Sequence, residues 1–336
     1  MKKILALAAV LSMSSEGFAQ TKPAPVPADV KPGSITCEEC PYPYPSSYLP
    51  LTVYGQDVRM AFMDVAPAGT PNGHTVVIFH GNNFAGFYFG PIIDALRKEG
   101  FRVIVPDQIG YGRSSKPIIP YSFNDMARHT RAIVQSLKID KVMLVGHSMG
   151  GMLATRFTTQ YPALVERLVV YNPIGLTDPR FERPAGSVDD AYKGNLGATF
   201  QSVRASLMRY VAHNESAWNA DFEKYARIRY AWTLAADWPR LAMVQALTSA
   251  VIYQDPVVYD WPHIKVPTLA FGGAEDVLPG SAKVFQDRMK LLADTVPNSN
   301  GKLHLIPGLG HVPHLESLEK TMPPLLAFLK DGVTTR

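Results

Sequence analysis

The chain has little cysteine, little net charge and no long apolar run, and each shortage removes a class of protein. Its two cysteines in 336 residues, Cys37 and Cys40, are too few for a disulfide scaffold. With no further thiol or imidazole close by, they do not make a zinc site either. Lys and Arg number 33 against 29 Asp and Glu, giving a formal net charge of +4, and no basic stripe breaks the mixture. Nucleic acid is therefore not an expected partner. The apolar stretch from Ile4 to about Met13 falls far below the ~20 residues that span a bilayer, so stable membrane insertion is not expected. There is no internal repeat, which argues against a solenoid or propeller.

What is present begins with that same short stretch. "MKKILALAAVLSMSSEGFAQ" joins a basic start, an apolar centre and the small residues Gly17 and Ala19, the pattern of a signal peptide over 1–19 cut near Ala19. It predicts a periplasmic or secreted protein. Residues 20–48 follow as a Pro-rich extension, "TKPAPVPADVKPGS" and then "CEECPYPYP". In an oxidising compartment the expectation for Cys37 and Cys40 is a short-loop disulfide without catalytic duty.

From Leu51 the pattern turns regular. "LTVYGQDVRMAFMDVAP" predicts two strands around Gly55, and "HTVVIFHG", "FRVIVPD", "KVMLVG", "VERLVVYN", "VPTLAFGG" and "KLHLIPG" predict six more. Helical spacing appears in "FGPIIDALRKEG", from Phe123 to Leu137, from Gly150 to Gln160 and, last, from about Leu315 to Leu329. The expected fold class is α/β, a mostly parallel central sheet with helices on both faces. Its core should comprise 49–172 and 263–332. Between them, 173–262 contains helical pieces, no convincing strand and all four tryptophans, Trp218, Trp232, Trp238 and Trp261. That insert is expected to form a helical lid over the working edge of the sheet.

"GHSMG" places Ser148 between a strand and a helix. G-x-S-x-G is a weak signal in a chain with 25 glycines, but the strand before it and the helix after it are the context a nucleophile elbow needs. Such a turn strains the serine backbone, admits only small residues at Gly146 and Gly150, and sets the Met149 N–H at a helix start where it can hold an oxyanion. With "FHGNN", "PDQIGYGRSSKP", "GGAED" and "GLGHVPHLE" in order after other strands, the chain from about Leu51 to Lys330 resembles the α/β-hydrolase-fold enzymes.

The resemblance implies His311 as the base, in the loop after the last strand, with His314 as the local rival. It implies Asp276 as the orienting acid, with Glu275 and Asp178 as rivals, and the Asn82 N–H as the second oxyanion donor. His80 and His147, like Asp107, Gly110 and Gly112, are expected to be structural. Asn82 is also similar to the halide-holding asparagine of haloalkane dehalogenases, but those enzymes use an aspartate nucleophile and this chain has Ser148. A serine with a base and an acid makes an acyl-enzyme. The expectation is thus a serine esterase that needs no cofactor or metal and takes a small-molecule ester of modest size and low charge. Lactones and amides are alternatives for the same machinery, and a noncatalytic binding protein is the rival from another class.

Overall fold

A computed structural model describes residues 24–332; the expected signal peptide lies outside them. Eight strands form one sheet: β1 (Ser46–Val53), β2 (Gln56–Val65), β3 (Thr75–Phe79), β4 (Arg102–Pro106), β5 (Val142–His147), β6 (Val165–Tyr171), β7 (Thr268–Gly273) and β8 (Gly301–Ile306). Their order is β1-β2-β4-β3-β5-β6-β7-β8, with β2 antiparallel to both neighbours and every later pairing parallel. All eight overlap the expected runs, but β1 begins at Ser46, five residues before Leu51 and inside the stretch expected to be extension, because Ser46–Pro50 pair with Arg59–Met63 of β2. The central strands are buried on both faces, and their side chains divide by the two-residue period of a strand. Val76, Ile78, Met143 and Val145 face one apolar core, while Val77, Phe79, Val142 and Leu144 face the other.

The helices are α1 (Gly90–Lys98), α2 (Phe123–Ser136), α3 (Met149–Gln160), α4 (Val188–Leu196), α5 (Phe200–Met208), α6 (Ala220–Thr233), α7 (Trp238–Gln254), α8 (Ala282–Thr295), α9 (Pro313–Glu316) and α10 (Leu318–Lys330). Buried residues of α1 and α10 belong to the first core, and those of α2, α3 and α8 to the second. Side-chain caps fix several starts: Ser122 accepts from the Asp125 N–H and Ser281 from the Val284 N–H, each satisfying a donor the helix leaves unpaired. The single terminal helix expected from the sequence is instead two, α9 and α10, separated by Ser317 in extended conformation.

The segment between β6 and β7 holds α4 to α7 and no strand. Its tryptophans do not lie open: Trp232, Trp238 and Trp261 are buried and Trp218 is half-buried. Phe200, Phe222, Tyr225, Trp232 and Trp238 join the first core, so these five are packing residues continuous with the sheet's own interior, while Phe181 and Tyr259 are exposed. Residues 33–46 run across both parts. Cys37 and Cys40 are joined by a disulfide, Arg113 reaches the Ser46 hydroxyl at 3.0 Å, and Gly33 N–H donates to the Ala231 carbonyl at 2.9 Å. No helix among the described residues is long and apolar enough to cross a membrane.

Candidate active site

The end of β5 is shaped by what glycine lacks. A Cβ on Gly146 would lie 2.1 Å from the Gly150 carbonyl oxygen, and one on Gly150 would lie 2.3 Å from the Phe79 carbonyl oxygen. Strand, turn and helix therefore touch backbone to backbone. Between them Ser148 takes φ 58°, ψ −122°, a conformation that costs a non-glycine residue on the order of 1–3 kcal/mol. Surrounding bonds hold it there. Ser148 N–H donates to the Tyr171 carbonyl at 3.0 Å, and the Ser148 carbonyl accepts from Gly151 N–H at 2.9 Å. α3 begins at the next residue, Met149.

His311 follows β8 in the loop before α9. Its Nδ1 is 2.6 Å from Asp276 Oδ2, and both side chains are fully buried. Asp276 follows β7. Its Oδ1 accepts from Leu278 N–H at 2.9 Å and its Oδ2 from Asn172 Nδ2 at 3.0 Å, so the carboxylate is fixed from two further directions. The other edge of the imidazole differs: His311 Nε2 is buried without a hydrogen-bond partner. The loop is brought to the serine by His147, the residue before it, whose Nε2 contacts the His311 carbonyl at 2.8 Å. His147 must donate there. Its Nδ1 then accepts from the Tyr88 hydroxyl at 2.7 Å.

The rivals are occupied elsewhere. His314 contacts the Tyr171 hydroxyl through Nδ1 at 3.0 Å and the Tyr88 carbonyl through Nε2 at 3.2 Å. Asp178 is bound to Arg180 and to the Tyr259 hydroxyl, and Glu275 faces the Gly308 N–H. Asn82 follows Gly81, where a Cβ would stand 3.0 Å from the Ser148 Cβ, so this turn runs directly past the serine. The Asn82 side chain is pinned, its Oδ1 accepting from the Tyr111 hydroxyl at 2.6 Å and its Nδ2 donating to the Ser249 hydroxyl at 3.0 Å. Asp107 accepts from Gly86 N–H, Arg113 N–H and the Tyr42 hydroxyl, anchoring loops rather than entering the site.

Burial sets the charge state of the surroundings. It drives His147 well below the usual imidazole range, helped by the neighbouring His311 and His314, and drives His314 down to about 3. Both are neutral near pH 7. Burial pushes Glu316 up to about 7, although the Gly310 and Val312 N–H groups on either side of His311 favour its ionised form. Glu316 accepts from Gly310 N–H at 2.9 and 3.0 Å, and Tyr210 accepts from His311 N–H through its carbonyl at 2.7 Å while its ring lies 4.8 Å from the imidazole.

Three of these supporting residues escape sequence reasoning. Asn172 carried a signal, since Asn-Pro at a strand end marks a constrained turn. Glu316 lies inside the quoted "GLGHVPHLE" but has no feature of its own there. Tyr210 reads from the sequence only as one of the helical segment's aromatics, and nothing local ties it to His311, 101 residues away.

Comparison with known proteins bears on the fold. The profile of the α/β hydrolase fold matches residues 74–318. A crystal structure titled a "probable hydrolytic enzyme" from Pseudomonas aeruginosa is 34% identical, with a TM-score of 0.84, covering 90% of this chain and 99% of that one. A protein of Synechocystis sp. named "Putative non-heme chloroperoxidase" is 26% identical over 84% of this chain and 100% of its own length. A shorter match, 39% identical over 113 residues, covers 33% of this chain and 42% of a Serratia proteamaculans protein named "Putative carbamate hydrolase RutD". A fold profile that takes in most of the sheet, together with a relative alike over nearly its whole length, makes this chain a member of the α/β hydrolase fold family and a hydrolase.

Proposed function

We propose that the protein is an exported serine hydrolase that cleaves carboxylic esters of small to medium size through an acyl-enzyme. The observation that carries this reading is the buried imidazole of His311, tied to Asp276 at 2.6 Å on one edge and unpartnered on the other, in a loop held against the strained Ser148 turn. Asp276 fixes the tautomer that leaves Nε2 free to accept a proton. Nε2 takes the Ser148 proton as Oγ bonds to the ester carbonyl carbon. The Met149 and Asn82 N–H groups hold the oxyanion, each contributing ~3 kcal/mol to the lowering of the barrier. His311 then gives its proton to the departing alcohol. A water molecule deprotonated by His311 attacks the acyl carbon, and the acid leaves as Ser148 regains its proton.

The insert, 173–262, acts in this reading as a lid, its aromatic interior giving apolar walls to the acyl and alcohol pockets. Initial rates for wild type and Ser148→Ala on p-nitrophenyl esters of increasing acyl length, with lactones and anilides alongside, test the proposal. Ester turnover abolished by the substitution is the expected result. Turnover of lactones or anilides alone would keep the machinery and discard the substrate class. A folded wild type that neither turns over any of these nor reacts with a fluorophosphonate at Ser148 would discard the enzyme reading altogether.

A further inference from the structure

The inward face of α6 carries Phe222, Tyr225, Arg229 and Trp232 at spacings of three, four and three residues. Phe222, Tyr225 and Trp232 are buried in the first core, and the Tyr225 ring lies 5.5 Å from that of Phe84, beside Asn82 and Asn83. Trp232 lines a small cavity together with Asn82, Asn83 and Tyr111. A charged residue in this stripe is out of place. Arg229 is partly exposed as a whole, yet its Nη1 is shut off from solvent and has no hydrogen-bond partner. The positions three and four residues away on α6 are Tyr225, Ala226, Trp232 and Thr233, so the helix offers it no carboxylate. The acids on α6 face other partners: Asp221 binds Lys224, and Glu223 accepts from Trp218 Nε1. The group that does feel Arg229 is Tyr210, whose ring packs on His311 and whose hydroxyl accepts from Asn83.

A guanidinium nitrogen shut off from water with no acceptor is costly, and buried charge is ordinarily paired, so Nη1 is a donor that an anion would complete. Its planar donors match a carboxylate better than a neutral carbonyl. We propose that Arg229 is the specificity-determining residue of this site and binds a carboxylate carried by the substrate, so that the preferred substrates are esters bearing a second, ionised acid group. This rests on the ester-hydrolase reading and sharpens it, because apolar walls alone would select for low charge.

Monoethyl and diethyl glutarate separate the alternatives, since they share a carbon chain and differ by one negative charge. Wild type should show at least a tenfold higher kcat/KM for the monoester, measured by acid release. Arg229→Gln should lose that ratio through the monoester, with the diester rate changed less than threefold. Preference of wild type for the diester, or equal losses on both esters with a lowered Tm, would overturn the proposal and make Arg229 a packing residue. Binding is read independently of turnover: glutarate should raise the Tm of wild type and leave that of Arg229→Gln unmoved, and no shift in wild type would overturn the proposal. Fluorophosphonate labelling of Ser148 in both proteins keeps the two readings apart. A labelled, ester-cleaving enzyme without charge preference retains the hydrolase and loses the carboxylate site, whereas an unlabelled protein that binds glutarate through Arg229 does the reverse.

Discussion

Gly150 and Gly194 both lie in helices, and one added methyl group would have opposite consequences at the two positions. At Gly150, in α3 under the serine, a Cβ meets the Phe79 carbonyl oxygen at 2.3 Å and its carbon at 2.7 Å. At Gly194, in α4, nothing stands within 4 Å. Neither side of the first contact is a side chain that could turn aside. The core beneath the elbow is thus held by backbone against backbone, whereas the outer part of the insert has free space around its chain. The difference shows where this molecule tolerates no adjustment: around the atoms that fix Ser148.

The comparison can be pressed by experiments of decreasing expected size. Ser148→Ala should reduce ester turnover by ~10⁴-fold or more and leave the Tm nearly unchanged, because it removes the proposed nucleophile without touching the contacts around it. Initial rates alongside thermal melting decide it, and a variant with a tenth of wild-type activity would break the assignment. Gly150→Ala should destabilise by more than ~4 kcal/mol or prevent folding, read from urea midpoints. A soluble variant of near-wild-type stability would show that the tight region yields after all.

Next in size is pH. His314 is neutral when folded, with its proton affinity pushed down to about 3, but takes a proton near 6.5 when unfolded. The unfolded chain therefore binds more protons across that window. Stability is full above pH 6.5 and falls as pH drops toward 3, by roughly 4 kcal/mol. Glu316, raised to about 7, works in the other direction and loses stability as pH rises from 4.5 through 7. Urea unfolding of His314→Gln between pH 7 and 4 should be flatter than that of wild type; an unchanged slope would remove His314 as a cause of acid sensitivity. The smallest effect is expected in the insert, where Gly194→Ala should raise stability by about 0.5–1 kcal/mol through better helix propensity. A loss there would mean the free space is needed.

The same contrast explains what the sequence made legible. Each strand of the sheet is a short apolar run ended by turn residues, and the candidate residues sit where those runs stop, so Ser148 could be placed from its strand-turn-helix context and the candidates Asp276 and His311 from the resemblance. The insert resists that approach. In α7, "AMVQALTSAVIYQ" is apolar on most sides and carries no single stripe, and α4 has no buried residue at all. The break between α9 and α10 falls at Ser317, while the prolines that would signal a break, Pro323 and Pro324, lie inside α10. α8 is a different case, since its Ser281 cap and its Phe285, Met289 and Leu292 stripe were there to be read. Contacts such as Asn172 to Asp276, 104 residues apart, leave no trace in local pattern.

The arm that crosses both regions bears on the order in which the molecule is completed. Ala24 meets Gln201 across 177 residues, Asp29 pairs with Arg227 across 198, and Gly33 donates to Ala231 near the end of α6. A ribosome adding 5–20 residues per second makes the arm about ten seconds or more before α6 exists to receive it. Closing loops of that length is also entropically late. The part of the described chain synthesised first therefore finds its partners only after α6 is made, and the arm adds a late set of contacts to an insert already packed on the sheet.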